Sequence, residues 1–199
     1  MLATVVDAVA ELLVDRPDVV ACGLDHQGES VVAWDAETGR PLTPIVTWQD
    51  KRSQEVLDRL ESAGRGEEIR ERSGMPLDPY FSAGKLGWLL EHDDAVIRAL
   101  DAGTLRLGTV DSFLCDRLGA GFATDSSTAW RTQLGAPEWD PGLLDIFGVP
   151  RETLPSIADT AGEWARCGTT PGPSSCPCAR VWSTSRPRSP GPAASSRAG

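Results

Sequence analysis

Five side chains in the first 80 residues have the types needed to hold a small, hydroxyl-rich molecule: Gln27, Glu29, Trp48, Asp50 and Tyr80. A carboxylate such as Glu29 accepts two hydroxyl hydrogens at once, and charge-assisted bonds are the stronger kind. Trp48 closes an apolar run and is followed by Gln49 and Asp50. Tyr80, the only tyrosine, lies in a loop framed by Pro76 and Pro79, where a phenol offers both a ring and a hydrogen bond. Taken singly, each has a plainer reading. Glu29 alone reads as a solvated acid at a strand end, Trp48 as core packing and Tyr80 as a loop anchor. Gln27 and Asp50 read as supporting or structural neighbours, and Asp111 as a structural cap. The sequence marks no residue as catalytic.

Other chemistries fall away on inspection. His26 and His92 are the only histidines, too few for a multi-histidine metal site, and no Ser-His-Asp triad is suggested. Cys176-Pro-Cys178 lacks the two-residue spacer and second ligand pair of a zinc knuckle. Gly64-Arg-Gly66 reads as a helix–helix connection with no phosphate loop around it.

The elements that must position these residues follow from periodicity and punctuation. Met1–Val14 carries Asp7 and Glu11 within an apolar stretch and has no basic start, which reads as an amphipathic helix and not a signal peptide. Val19–Leu24, Ser30–Trp34 and Thr43–Trp48 read as three adjacent strands, the last two a hairpin across the Asp35–Pro41 turn. From Lys51 the period turns helical, with Val56, Leu57 and Leu60 on one face. Gly74–Phe81 is a loop. Helices are expected over Ala83–Glu91, Ala95–Leu100 and Val110–Leu118, and a strand over Thr104–Leu107. Asp140, Pro141 and Gly148 supply the N-cap, first-turn proline and terminal glycine of a further helix, and Pro150 opens one more turn.

At 199 residues, 40% of them hydrophobic and 24% charged, the chain is sized for one domain with a real core. Its net charge of −10 is unevenly placed. The residues from Trp164 onward hold five arginines and no acid, leaving 14 of the 19 basic residues against all 29 acidic ones before it, a balance of −15. Such a body repels phosphate backbones and anionic lipid, so neither a nucleic acid nor a membrane is expected as partner. No stretch approaches the roughly 20 apolar residues of a bilayer span. Cys22 and Cys115 sit in apolar segments as free thiols, and the reading is a cytoplasmic chain without disulfides. Residues 164–199 have six prolines, little apolar content and no periodicity; they are expected to be disordered. Such a Pro/Arg/Ala/Ser/Gly composition also matches an out-of-frame reading of G+C-rich coding sequence, with a shift near residues 162–168.

Four segments together resemble the N-terminal domain of the FGGY carbohydrate kinases, most closely those of the glycerol kinase type. They are Asp25-His-Gln-Gly-Glu-Ser30 with Val31–Asp35 and Thr38–Leu42; Ile45-Val-Thr-Trp-Gln-Asp-Lys-Arg52; Ser73–Ser82 running into Lys85–Leu90; and Gly108–Leu114 with Thr124-Asp125, Ala129, Arg131-Thr132, Trp139-Asp140, Phe147–Arg151 and Leu154-Pro155. The resemblance covers residues 1–163 and implies an α/β fold, a partial actin-like, ribonuclease-H-like domain with a mixed sheet and flanking helices. It further implies an ATP-dependent transfer of phosphate, with Mg²⁺, to a sugar or polyol hydroxyl. Glu29, Trp48 and Tyr80 then match the family's substrate-side residues, with Gln27 and Asp50 beside them. Gly28 departs from the pattern: glycerol kinases carry Asn-Gln-Arg-Glu-Thr here, and Gly28 stands in the place of an arginine that helps hold glycerol. A larger or differently hydroxylated polyol is therefore open as substrate. The family's phosphate loop, catalytic aspartate and second domain have no counterpart in these segments, so the chain is expected to hold neither ATP nor Mg²⁺ and to be inactive; the alternative is a non-catalytic remnant or frameshifted product. The oligomeric state is not legible.

Overall fold

The computed structural model describes residues 1–16, 18–19, 22–161 and 181–183. Its centre is a five-residue strand, Val31–Asp35, which follows a first helix α1 (Leu2–Asp15) and strand β1 (Cys22–Leu24) and is here β2. Valine, alanine and tryptophan in unbroken succession leave β2 no solvent face, and its first four residues are all buried, as expected of a strand covered on both sides. Alternation divides it between two cores. Val31 and Ala33 join the larger cluster, with Leu57, Leu86, Leu89, Leu107, Leu143 and Phe147. Val32 and Trp34 join a smaller one with Val110, Phe113 and Leu114.

Helices α2 (Gln54–Ser62), α3 (Gly66–Ser73), α4 (Ser82–His92) and α5 (Asp94–Asp101) supply the larger core. Strand β3 (Leu105–Thr109) then pairs antiparallel with β2, placing Leu107 opposite Ala33 and Thr109 opposite Val31. Helix α6 (Val110–Arg117) follows without a loop. Beyond it lie β4 (Ala123–Asp125), α7 (Ser126–Arg131), α8 (Pro141–Phe147), a single 3₁₀ turn over Arg151–Thr153 and β5 (Ser156–Ala158), which pairs parallel with β4. Strand β6 (Val181–Ser183) pairs parallel with β1.

The two cores are closed by specific contacts. Trp34 is fully buried, packs edge-on against Phe113 and Phe122 at 5.3 and 5.4 Å, and donates its Nε1–H to Asp116 at 2.9 Å. On the other side α4 meets α8 so closely that a Cβ at Gly87 would lie 2.8 Å from the Phe147 carbonyl oxygen. The α8 punctuation is as the sequence implies. Asp140 accepts from the Leu143 amide at 2.9 Å, and Gly148 closes the helix at φ 65°, a conformation that costs a residue with a Cβ more than glycine.

Three strand expectations need correction. Thr43–Trp48 is not a strand; it touches β2 only through isolated bridges at Val46 and, further back, Pro41. Pro41 and Pro44 withhold the amides a continuous ladder would use. The strand beside β2 is β3, some 70 residues on, and the described pairing of β1 is to β6 and not to β2. Local patterning cannot choose between such partners. The expectation of disorder over residues 164–199 falls almost wholly outside the described residues; Val181–Ser183 are described, and they form β6. The readings of Cys167, Cys176 and Cys178 lie outside them too. Cys115 is a buried free thiol, its pKa pushed up to about 12 by burial and by the acids Asp111, Asp116 and Asp125 nearby. No helix among the described residues is long and apolar enough to cross a membrane.

Candidate functional site

Glu29, Trp48 and Tyr80 come together, and the residue that joins them is Arg131. Glu29 stands at the entrance to β2, and its side chain is only 9% exposed. Arg131, the last residue of α7, donates from Nε to Glu29 Oε1 at 2.5 Å, and Nη2 reaches the same oxygen. The same guanidinium lies 5.4 Å from the Tyr80 ring centre and 5.3 Å from that of Phe81, the distance range of cation–π attraction. Tyr80 in turn meets Trp48 at 5.5 Å and 62°, an edge-on geometry aromatic pairs favour. A carboxylate, a guanidinium and two aromatic rings thus form one continuous wall. Trp48 keeps 38% of its surface open to solvent, which a side chain serving only the core would not do.

The other two predicted residues differ in how they attach to this wall. Gln27 accepts from Ser30 Oγ at 2.8 Å, and Ser30 Oγ accepts from the Trp48 amide at 3.1 Å, so Gln27 and Trp48 are tied through one hydroxyl. Asp50 is committed to Arg52: it accepts from the backbone amide, Nε and Nη2 at 2.9, 3.0 and 2.8 Å. The side-chain bond from Arg52 is the main reason its carboxyl is held below the usual carboxylate range.

Two residues that sequence reasoning passed over hold the site in place. Lys85, in the first turn of α4, is fully buried, and its ammonium donates to the carbonyls of Pro79, Tyr80 and Phe81 at 2.6, 2.7 and 2.9 Å. Burial draws its pKa down to about 8, against the opposing pull of Glu29, Asp50 and Asp78. Gln133 sits at φ 70°, also fully buried, and donates to the Pro76 carbonyl at 2.7 Å. Together they fasten both ends of the Tyr80 loop. Ser82 Oγ donates to the Glu29 carbonyl at 3.3 Å and the Ala83 amide to the Thr132 carbonyl at 2.9 Å, fixing α4 against β2 and α7. A buried lysine four residues into a leucine-rich helix was the available signal for the first. Gln133 gave none.

Behind the wall lies a second polar group. Asp111 is buried, accepting from Thr109 Oγ1 and, at 2.7 Å, from Thr124 Oγ1. His26 Nε2 lies 3.2 Å from Thr128 Oγ1 and 3.8 Å from Asp111. Asp111 therefore orients β3, α6 and β4, in keeping with a structural role. A cleft of about 430 Å³ lies elsewhere, between α2 and α3, with Asp58, Glu61, Glu67 and Arg70 among its walls; it includes none of the five predicted residues. Among the described residues no group of three His, Cys, Asp or Glu could hold a metal ion.

Comparison with known proteins gives a consistent picture. Residues 1–170 match the family model described as the FGGY family of carbohydrate kinases, N-terminal domain. The chain is 41% identical over 170 residues to a glycerol kinase of Gluconobacter oxydans, covering 82% of this chain and 33% of that one. It is 43% identical over 157 residues to a glycerol kinase of Alkalilimnicola ehrlichii, covering 76% and 31%. The chain spans about a third of the length of these relatives. Among solved structures, Plasmodium falciparum glycerol kinase with ADP aligns with a TM-score of 0.79 at 24% identity, over 90% of this chain and 38% of that one. Lactobacillus acidophilus gluconate kinase aligns at 0.75 and 20% identity, over 92% and 38%. The shared fold is the actin-like α/β architecture expected from the sequence.

Proposed function

The chain belongs to the FGGY family of carbohydrate kinases, and from that premise we propose that it forms the hydroxyl-binding side of an ATP-dependent kinase that phosphorylates a polyol or sugar, glycerol kinase-like in type. The observation that carries this reading is the convergence of Glu29, Trp48 and Tyr80 about one guanidinium. A polyol has two kinds of surface, hydroxyl edges and C–H faces. Glu29 suits the first and the Trp48–Tyr80 pair the second. Gln27 lies close enough, through Ser30, to join the hydroxyl contacts, while Asp50 serves as the anchor of Arg52 at the rim.

ATP and Mg²⁺ belong to the reading of the whole enzyme: ATP supplies the phosphoryl group, and the metal offsets charge on its phosphates. The described residues offer no acidic cluster suited to the ion, so this chain's part is confined to binding and orientation. In-line transfer also needs a carboxylate free to take the hydroxyl proton. Glu29 is paired to Arg131 and Asp50 to Arg52, and neither is poised for that task.

The expected outcome is polyol binding without turnover. Saturation-transfer NMR of the purified 199-residue chain with glycerol, erythritol, xylitol and gluconate should show contact for at least one polyol, lost in E29Q and in W48A. A coupled ATPase assay should show no polyol-dependent consumption. Equal contact in wild type and both variants would place the ligand elsewhere and refute the reading.

A further inference from the structure

The geometry points to Arg131 as a substrate-reading residue whose guanidinium, paired with Glu29, selects two hydroxyls on adjacent carbons; this rests on the polyol reading of the same wall. The argument starts from which atoms of the pair are already used. Both contacts from Arg131, through Nε and Nη2, go to a single oxygen, Glu29 Oε1. Among the described residues Oε2 of Glu29 and Nη1 of Arg131 take part in no hydrogen bond. An arginine fork has five N–H donors in one plane, so Nη1 presents two of them beside an ionised acceptor. The Arg131 side chain is 35% exposed and the Glu29 side chain 9%, so the pair faces solvent through its guanidinium edge and keeps its carboxylate largely dry.

A donor and an acceptor side by side match a vicinal diol. One hydroxyl donates to Glu29 Oε2 while its neighbour accepts from Arg131 Nη1, and neither needs to break the existing ion pair. Two hydroxyls separated by an extra methylene cannot satisfy both partners in the same geometry. Stacking over Tyr80 and Phe81 at 5.4 and 5.3 Å restrains the fork, so less side-chain freedom is lost when the diol binds. Gly28 adds no side chain to this edge. A Cβ there would lie 3.9 Å from the Arg131 stem, so main chain alone borders the guanidinium on that side and a polyol longer than three carbons has room to continue. The nearby carboxylates Glu29 and Asp50 favour a neutral diol over an acid sugar.

The test compares glycerol and xylitol with 1,3-propanediol on the 199-residue chain, by saturation-transfer NMR titration. Wild type should prefer the vicinal compounds about tenfold, the scale of one good hydrogen bond to a charged group. R131Q should bring the three ligands within about twofold of one another, and R131K, which keeps the charge and loses the fork, should fall between. Circular dichroism and a thermal melt check that each variant folds; should R131Q unfold, the R131Q/E29Q pair, which leaves no buried charge unpartnered, gives the same comparison. A tenfold vicinal preference surviving in folded R131Q or in the pair variant would overturn the assignment while leaving the pocket intact, provided E29Q and W48A still lose binding. Failure of wild type to bind any of the three would instead refute the polyol pocket and this inference with it.

Discussion

Raising the pH should stabilise this protein between about 8 and 9, and the cause should be one buried lysine. Lys85 has a folded pKa of about 8 against an ordinary value of 10.5. Between those limits the unfolded chain holds the proton and the folded chain does not, so stability climbs with pH, at about 1.4 kcal/mol for each unit. The contribution is complete above 10.5 and is lost as pH falls through 8, for a full span of about 3 kcal/mol. Cys115 opposes it. Its folded pKa of about 12 lies above the ordinary 9.0, so above pH 9 the unfolded chain sheds a proton that the folded chain keeps, and stability declines at the same rate. Wild type should therefore gain about 1.4 kcal/mol from pH 8 to 9 and then level off to about 10.5. C115A should continue to rise, and K85M should show no rise at all. Urea unfolding at pH 7.5, 9 and 10.5 on the three proteins reads this directly. The site should respond as well. A neutral amine has two donors for the three carbonyls of Pro79, Tyr80 and Phe81, so the Tyr80 loop loosens and polyol contact weakens above pH 8. A rise from pH 8 to 9 in K85M equal to that of wild type would refute the assignment to Lys85.

Other perturbations have simpler outcomes. G87A should destabilise by about 1–3 kcal/mol in urea unfolding, because the new Cβ falls 2.8 Å from the rigid carbonyl of Phe147 and α4 must part from α8. D140A removes the N-cap of α8 and the partner of Arg72; a loss of about 1 kcal/mol is expected, nearly all of it from the cap. W48A should leave the melting temperature within about 2 °C of wild type, since the ring is more than one-third exposed and exposed substitutions cost little, while abolishing polyol contact in NMR. A large drop in melting temperature for W48A would return Trp48 to a packing role.

Much of the local structure was legible in the letters. The α8 boundaries follow from Asp140, Pro141 and Gly148, whose effects act within a turn of the residue itself. Helices α4, α5 and α6 follow from apolar spacing and end within about two residues of expectation. What was missed is short or depends on partners far along the chain. β4 and β5, three residues each, have too little length to show alternation. α7 is six residues long and begins at a cap, Asp125, accepting from the Thr128 amide at 2.7 Å; a helix of fewer than two full turns leaves almost no periodic trace.

The site divides along the same line. Residue type and order single out Glu29, Trp48 and Tyr80, because the capacity to accept a hydroxyl or to cover a C–H face is a property of the side chain alone. Their meeting point is not such a property. Arg131 lies 102 residues from the carboxylate it holds, and Lys85 reveals its function only once α4 turns its stem inward beneath the Tyr80 loop. Ion pairs and strand partners of that separation are chosen by which faces of β2 and the helices around it must be buried together, and that choice is made over the whole core at once.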